Sequence, residues 1–505
     1  MSRTARLLVG LAALSLVMHL VTVAISPYGI HRDEFLYMAM GEHLRLWRMD
    51  FPPGIAIVSR VMRGLLGDGL LAVRLAPALA GAALVLLAGL TAREMGGGRG
   101  AQLLAALAIL LNPLFVRAAA LFQPVVFDQL AWTVALYALM RLGREDRPRW
   151  WLLLGAAGGI GLLFKFSIGF IGVGVLAALL LGPLRRSLLT RWPYVALGLA
   201  LLLGSPAIVG QVRLGYPVVG QLGDLQQTQL ERVGPVEFLT GHLLYGPATL
   251  LGLAGLAALL AWRPLRPYRG VGIACLASVA LLLLFHGKPY YGGPIYPVLV
   301  AAGAVAIGGV ASGRTGTLLR GASAAALILY GLLVLPLGLP VLAPPAMARY
   351  AAALGVTEAT ETNSGEVLEL PQDYADMLGW EEQVRTIAGV YRSLTPEQQR
   401  AAVIVAGNYG EAGAIDYYGP RHGLPKAVSA AGSYWFFGPG SRTGEVVIAV
   451  GVPRDSLVPV FDSVRTAAVS RQRWVVPEER EVPVQLAFGI RAPLQAIWPS
   501  LAGRN

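Results

Sequence analysis

Charged side chains recur at or near the ends of long apolar runs in this sequence. An acidic pair, Asp33-Glu34, follows the first run, and Asp128 lies inside a later one. Lys165 interrupts an otherwise apolar stretch, and Lys288 lies in a Lys-Pro-Tyr-Tyr sequence after another. A charge in or beside hydrocarbon persists only where another group compensates it, so these residues indicate a functional site. A fifth group, in the loop at 212–237, comprises Arg213, Asp224, Glu231, Arg232 and Glu237.

Carboxylates and cations at one membrane face suit the transfer of a sugar from a lipid phosphate. A carboxylate can accept the proton of an acceptor hydroxyl as its oxygen attacks the anomeric carbon, which contributes roughly a hundred- to ten-thousand-fold in rate. Lysine and arginine can neutralise the departing phosphate. Because phosphate leaves as a stable anion, no acid partner is required, in contrast to the paired carboxylates of glycoside hydrolysis. One base and several cations therefore suffice.

The acidic residues also have structural interpretations. Asp33-Glu34 could begin a solvated loop or cap the helix that follows, since aspartate is a good N-cap. Asp128 could tie helices together through Arg117 or Lys165. The set of charges favours a functional site more strongly than any member does alone.

The basic and aromatic residues have structural alternatives of their own. Lys165 could extend its ammonium group to the membrane interface while its stem stays in hydrocarbon. Lys288, His286 and the pair Tyr290-Tyr291 could form an interfacial aromatic belt with an accompanying cation.

The elements that position these residues follow from composition. The chain has 505 residues, of which 55% are hydrophobic and 14% charged, and its mean hydropathy is +0.60. Such values are typical of membrane proteins, in which a helix needs roughly 20 apolar residues to cross the bilayer. We count eleven candidate spans, at 5–25, 70–92, 100–117, 121–142, 149–164, 167–183, 192–211, 240–262, 270–286, 293–311 and 318–342.

Short-loop cations predict the orientation, because lysine and arginine near helix ends stay cytoplasmic. The basic loops alternate and share one side with Arg3 and Arg6, so the N-terminus is expected inside, with residues 1–25 a retained first helix rather than a cleaved signal peptide. The net charge of +12 is then mostly topological, and nucleic-acid binding explains it poorly. Cys275, the single cysteine, lies in a predicted span, which excludes a disulfide framework and a cysteine-based metal site.

Two segments are predicted to lie outside the bilayer. The loop at 26–69 is expected to hold two interfacial helices, because Leu36, Met40, Leu44 and Trp47 share a helical face. After Pro344-Pro345 the long apolar runs cease, and residues 344–505 are predicted to form an extracytoplasmic α/β domain behind a transmembrane domain at 1–343. Its predicted strands are Ala402–Ala406, Glu445–Val450 and Val484–Phe488, and its predicted helices are Ala375–Ser393 and Ser456–Ala468.

Several of these features occur in a familiar order: the acidic pair after the first helix, a Phe-Pro-Pro turn, an intramembrane aspartate in the fourth span and the Lys-Pro-Tyr-Tyr turn. This order resembles the protein mannosyltransferase type of family 39 glycosyltransferases, which have the membrane-embedded GT-C fold. That group includes protein O-mannosyltransferases, aminoarabinose transferases acting on lipid A and lipopolysaccharide galacturonosyltransferases. The resemblance implies Asp33 as catalytic base with Glu34 as its acidic neighbour, Asp128 as a second acidic residue, and Lys165 and Lys288 near the lipid phosphate.

The resemblance extends into the C-terminal part of the chain. The segments Leu370–Trp380 and Gly407–Asp416 resemble bacterial members that carry a periplasmic domain. The role of this domain is poorly defined in the family, so its polar residues are candidates for acceptor contact only.

The sequence therefore predicts a polytopic α-helical protein of GT-C type, with about eleven transmembrane helices, in the cytoplasmic (inner) membrane. Its expected activity is inverting transfer of a sugar from a polyprenyl-phosphate donor to an extracytoplasmic glycolipid, polysaccharide or protein, without cofactor; metal independence is implied by the family's mannosyltransferases. Asp33 and Glu34 are the predicted catalytic residues. The predicted donor-binding residues are Arg32, Asp128, Lys165, His286, Lys288, Tyr290 and Tyr291.

Two other classes of protein are considered. A flippase of lipid-linked sugars would also need cations facing a lipid phosphate, but it predicts access from both sides, whereas the polar cluster is one-sided. A polymerase or ligase using a diphosphate-linked oligosaccharide would be expected to have arginine-rich outer loops, whereas most arginines here lie on the predicted cytoplasmic side.

Overall fold

A computed structural model describes residues 2–310, 313–355, 360–362 and 365–502. The chain forms two compact units, and the first comprises residues up to Ile25, Leu46–Ile55 and Leu65–Val341. The second comprises Ser26–Arg45, Ala56–Gly64 and the residues from Leu342 onward. It therefore combines two pieces of the predicted first outer loop with the predicted C-terminal domain. Positions 1, 311 and 505, which limit predicted spans or domains, lie outside the described residues.

The first unit consists of helices, and the two pieces of the predicted outer loop in the second unit are also helical. In chain order they are α1 (Arg3–Ile25), α2 (Arg32–Glu42), α3 (Gly54–Leu66), α4 (Leu70–Glu94), α5 (Arg99–Leu110), α6 (Pro113–Ala120), α7 (Pro124–Arg144), α8 (Pro148–Phe164), α9 (Ile168–Leu181), α10 (Trp192–Arg213), α11 (Pro217–Leu225), α12 (Pro235–Gly241), α13 (Pro247–Ala261), α14 (Arg269–Leu284), α15 (Tyr296–Val310) and α16 (Gly313–Gly338).

The helices match the hydropathy pattern. Within the described residues, seven are long and apolar enough to cross a membrane, and the bent pairs α5/α6 and α12/α13 raise this number to nine. The shorter apolar helices α8 and α9 follow each other directly. Each of the eleven predicted spans overlaps one of these helices or bent pairs, which confirms a polytopic helical protein. The number of membrane crossings stays a prediction.

Small residues let the helices of the first unit approach closely, as is usual in membranes. A Cβ atom added at Gly155 of α8 would collide with the carbonyl oxygen of Ala196 in α10. One added at Gly159 would come within 2.7 Å of the carbonyl oxygen of Ala200. The break between α5 and α6 has a clear local cause, because Asn112 caps α6 through the amide of Leu114 and Pro113 cannot donate to the preceding turn.

The second unit contains a five-stranded mixed sheet, β1 (Ala402–Ala406), β2 (Ala427–Ser429), β3 (Val446–Val450), β4 (Phe461–Arg471) and β5 (Glu481–Ile490), in the order β2-β1-β3-β5-β4. β1 is parallel to β2 and β3, and β5 is antiparallel to β3 and β4. The helices are α17 (Pro344–Leu354), α18 (Gln372–Ala375), α19 (Trp380–Arg392), α20 (Pro396–Ala401), α21 (Tyr409–Tyr418), α22 (Ser433–Phe437), α23 (Arg454–Leu457) and α24 (Leu494–Ile497).

The predicted elements of this α/β part are confirmed except at two places. The predicted helix Ser456–Ala468 is wrong, because its β-branched residues Val464 and Thr466 belong to β4 and pair with β5. The predicted helix Ala375–Ser393 begins only at Trp380, because Gly379 has a φ of 83° and interrupts it. The short strand β2 has no counterpart among the predicted strands.

Two helices occupy the predicted outer loop, as expected, but their surfaces differ. Leu36 and Met40 are buried within the second unit, and α2 ends at Glu42, before Leu44 and Trp47. In α3, by contrast, Val61, Leu65 and Leu66 are exposed. The pattern expected of an interfacial helix therefore belongs to α3, whereas α2 is a buried element.

Candidate functional site

Lys165 lies in the turn that separates α8 from α9. The residue has an extended backbone, with φ of −156°, and ends the helical hydrogen bonding of α8. Its ammonium nitrogen lies over the ring of Tyr291, 4.4 Å from the centroid, and 5.4 Å from that of Tyr290. The two tyrosine rings pack edge to face at 4.6 Å. A half-buried cation is thus held by the negative faces of two aromatic rings.

Asp128 connects α7 to this turn. The side chain is buried, and its Oδ2 accepts a hydrogen bond of 2.8 Å from the hydroxyl of Ser167, two residues after Lys165. Its Oδ1 accepts one of 3.1 Å from the indole of Trp132. The charge of Lys165 is close enough to stabilise the carboxylate. Asp128 therefore fixes the turn that carries Lys165 and compensates its charge.

Lys288 begins the segment that carries the two tyrosines. Its ammonium group donates a 2.5 Å hydrogen bond to Oε1 of Gln229. Burial lowers the pKa of Lys288 to about 8, and the positive charges of Lys165 and Arg117 act in the same direction. Lys165 and Arg117 therefore both lie within electrostatic range of Lys288 in the first unit.

His286 contacts the backbone of the preceding loop, and its predicted contact with the donor stays a prediction. Its Nδ1 lies 2.9 Å from the carbonyl oxygen of Val233, and its backbone adopts the left-handed conformation with φ of 53°. These contacts fasten the turn before Lys288 to the preceding loop. The five further charged residues of the loop at 212–237 have exposed side chains.

In the second unit, a capping box begins the helix that carries the predicted base. The amide of Asp33 donates to Nδ1 of His31 over 3.1 Å, and the amide of His31 donates to Oε2 of Glu34 over 2.9 Å. Glu34 is fully buried. This arrangement satisfies amides of the first helical turn and fixes the direction in which Asp33 points.

The carboxylate of Asp33 contacts the α/β part of the chain directly. Its Oδ1 accepts a 2.9 Å hydrogen bond from the hydroxyl of Tyr409, the first residue of α21. The guanidinium of Arg32 lies over the same ring, 5.1 Å from its centroid, and donates to Glu478 over 3.0 Å. The charge of Arg32 is thus engaged within the second unit, and its predicted contact with the donor stays a prediction.

Further carboxylates surround this first turn of α2. Nε2 of His31 lies 3.7 Å from Asp373 and 3.9 Å from Asp376, and the latter is also 3.6 Å from Arg32. Burial raises the pKa of Asp376 to about 6, although the charge of Arg32 acts in the opposite direction. The backbone carbonyl of Asp376 also accepts the amide of Arg32 over 3.1 Å.

Sequence reasoning assigned no site role to several residues that the structure brings into these groups. Arg117 was considered only as a partner of Asp128, and Gln229 was not considered. Tyr409 and Asp376 belong to the two segments whose resemblance indicated acceptor contact, and here they pack against α2. A local pattern of apolar and polar residues does not show such long-range contacts, because Asp33 and Tyr409 are 376 positions apart.

Comparison with known proteins gives the same class of fold. Residues 50–209 match the family model described as dolichyl-phosphate-mannose-protein mannosyltransferase. ArnT from Cupriavidus metallidurans bound to undecaprenyl phosphate has a similar structure, with a TM-score of 0.62, 19% identity and full coverage of both chains. Its apo form gives 0.60 and 18% over the same coverage. No curated protein matches the chain significantly.

A more distant similarity involves an oligosaccharyltransferase. The apo structure of the Archaeoglobus fulgidus enzyme matches with a TM-score of 0.52 and 14% identity, covering 84% of this chain and 64% of that one. These structures confirm the predicted GT-C fold with its C-terminal α/β part. With the family-model match, the prediction of a multi-pass membrane glycosyltransferase is confirmed.

Proposed function

We propose that this protein transfers a sugar from a polyprenyl-phosphate donor to an acceptor hydroxyl outside the cytoplasmic membrane. The acceptor is a glycolipid, a polysaccharide or a protein, and the anomeric configuration is inverted. The N-terminus lies in the cytoplasm, and the α/β part lies outside. The predicted cytoplasmic side carries the basic loops, which supports this orientation.

The observation that carries the proposal is a group of three cations: Lys165 and Lys288 at turns between apolar helices, and Arg117 within α6. A lipid phosphate presents negative oxygens at the end of its apolar chain, and cations bind such oxygens through charge-assisted hydrogen bonds. The lowered pKa of Lys288 follows from burial beside other cations, and an anion placed among them would relieve that repulsion. The similarity to ArnT, described as bound to undecaprenyl phosphate, supports the same class of donor.

In the proposed reaction, the acceptor oxygen attacks the anomeric carbon from the side opposite to the phosphate. The bond between that carbon and the phosphate oxygen breaks, and polyprenyl phosphate leaves with the electron pair. Asp33 accepts the proton of the acceptor hydroxyl. Lys165, Lys288 and Arg117 stabilise the negative charge that develops on the leaving phosphate.

The remaining predicted residues support these groups. Asp128 holds the turn of Lys165 through Ser167, and Tyr290 and Tyr291 hold its ammonium group. Glu34 caps α2 through the amide of His31, so its part is to orient Asp33.

The test is sugar transfer by the purified full chain in lipid vesicles, using a panel of radiolabelled polyprenyl-phosphate sugars and membrane extract as acceptor. We expect wild type to transfer label and Asp33→Asn to lose at least about a hundredfold in rate, as removal of a general base predicts. Asp462→Asn is the matched control, because this aspartate belongs to the same unit and its side chain is 74% exposed.

Two outcomes would contradict the proposal. Full activity of Asp33→Asn would remove Asp33 from the role of base. Failure of every donor, together with movement of a lipid-linked sugar between the leaflets of the vesicles, would replace the transferase with a flippase.

A further inference from the structure

The sheet of the second unit has a place where related α/β folds bind ligands. The chain leaves β1 through α21 to β2 on one side, and β3 pairs with β1 on the other. In open parallel sheets, the carboxyl ends of strands on the two sides of such a switch point form the usual binding crevice. Here those ends lead into Gly407-Asn408-Tyr409 after β1 and Gly451 after β3.

This crevice is filled by side chains of the protein itself. Oε2 of Glu411 accepts the amides of Gly407 and Asn408, at 2.8 and 3.2 Å. The same carboxylate packs so closely on Gly451 that a Cβ atom there would collide with it. Nδ2 of Asn408 donates to Glu479 over 2.8 Å. The polar groups at this crevice thus bind one another.

The residue that follows Asn408 is Tyr409, the first residue of α21. Its hydroxyl donates to Oδ1 of Asp33, and its ring supports the guanidinium of Arg32. Burial and the neighbouring charge of Asp33 raise the pKa of Tyr409, so the phenol keeps its proton and remains a donor. Phe35, two residues beyond Asp33 in α2, packs against Gly413 of α21.

We infer that Tyr409 is a positioning residue for the catalytic carboxylate. The α/β part then holds Asp33 in place and is not a separate ligand-binding domain. This inference rests on the proposed role of Asp33. Oδ1 of Asp33 accepts the hydrogen bond of the phenol, which restricts the orientation of the carboxylate.

The test compares Tyr409→Phe with wild type and with Tyr434→Phe in the full chain. Tyr434 is a matched control, since its hydroxyl donates to Oδ2 of Asp416 over 3.1 Å in the same unit. We expect Tyr409→Phe to lower kcat about ten- to a hundredfold at unchanged donor KM, as misplacement of a reacting group does.

Other outcomes separate this inference from the proposed function. If Asp33→Asn abolishes transfer but Tyr409→Phe keeps the kcat of wild type, only the positioning role is overturned. If Tyr409→Phe and Tyr434→Phe lose kcat equally, the phenol is merely structural, which also overturns the positioning role. If Asp33→Asn stays active, the proposed base and this inference fail together.

A second measurement covers the case in which Tyr409→Phe does not fold. Replacement of Tyr409 by 3-fluorotyrosine keeps the ring and makes the phenol a stronger donor. A stronger donor withdraws negative charge from the carboxylate, so kcat should change at unchanged donor KM, and an unchanged kcat would overturn the inference.

Discussion

The ammonium nitrogen of Lys165 lies 4.4 Å from the ring centroid of Tyr291, in a turn that Asp128 fastens through Ser167. The cation is thus fixed by an aromatic face and compensated by a buried carboxylate. Such a lysine is prepared to receive an anion, because its rotamer freedom has already been restricted.

Removing the charge of Lys165 should weaken donor binding. A hydrogen bond to a charged group is worth about 1.5–3 kcal/mol, so we expect Lys165→Gln to raise the donor KM about ten- to a hundredfold. The matched control is Arg191→Gln, since Arg191 also lies over an aromatic ring, 4.8 Å from the centroid of Trp192. Donor KM, measured by transfer from the active polyprenyl-phosphate sugar, should be unchanged in the control. An unchanged KM in Lys165→Gln would exclude Lys165 from the phosphate site.

The pKa of Lys288, lowered to about 8, predicts a pH-dependent donor affinity. Below pH 8 the ammonium group is charged and attracts phosphate; above it the proton is lost, and donor KM should rise by up to about tenfold for each pH unit. Lys288→Arg should abolish this rise, because a guanidinium stays charged. Donor KM between pH 6.5 and 9.5 is the measurement, and Lys426→Arg, at a half-exposed lysine, is the control. A rise that persists in Lys288→Arg would assign it to another group.

The sequence allows prediction of the helices because each backbone group in lipid must be satisfied within its own segment. Lys165 and Asp128 could be identified from the sequence because an isolated charge in an apolar run is costly. The strand β4 was missed because its pairing with β5 is a tertiary contact, which the local sequence pattern does not show. The contact of Tyr409 with Asp33 was missed because it depends on tertiary packing between distant segments.

The packing of α21 on α2 gives a prediction about glycine. A Cβ atom at Gly413 would collide with that of Phe35, so Gly413→Ala should destabilise the protein by about 1–3 kcal/mol and displace the helix that carries Asp33. Gly389, in α19, faces open space, and Gly389→Ala should stabilise by about 0.5–1 kcal/mol with unchanged activity. Gly413→Ala should therefore lower both the melting temperature and the transfer rate. Gly389→Ala should leave the transfer rate unchanged. Equal rates in the two variants would show that α2 tolerates displacement.

The buried carboxyl of Asp376 predicts how stability depends on pH. Its pKa is about 6 in the folded protein and lies near 3.9 in an unfolded chain. Between these values the folded state retains a proton that the unfolded state has lost, so this group lowers the stability as pH rises from about 4 to about 6. The loss amounts to about 3 kcal/mol at most and does not increase above pH 6.

Asp376→Asn removes this titration while retaining an oxygen that faces Arg32. We therefore expect the melting temperature of wild type to fall relative to that of the variant between pH 4 and 6, measured on the full chain in detergent. The comparison cancels the titration of Glu411 and Glu479, whose pKa values burial also raises. Asp462→Asn is the control variant, since that carboxyl is exposed. Parallel pH curves for wild type and Asp376→Asn would mean that His31 and Arg32 keep Asp376 ionised throughout this range.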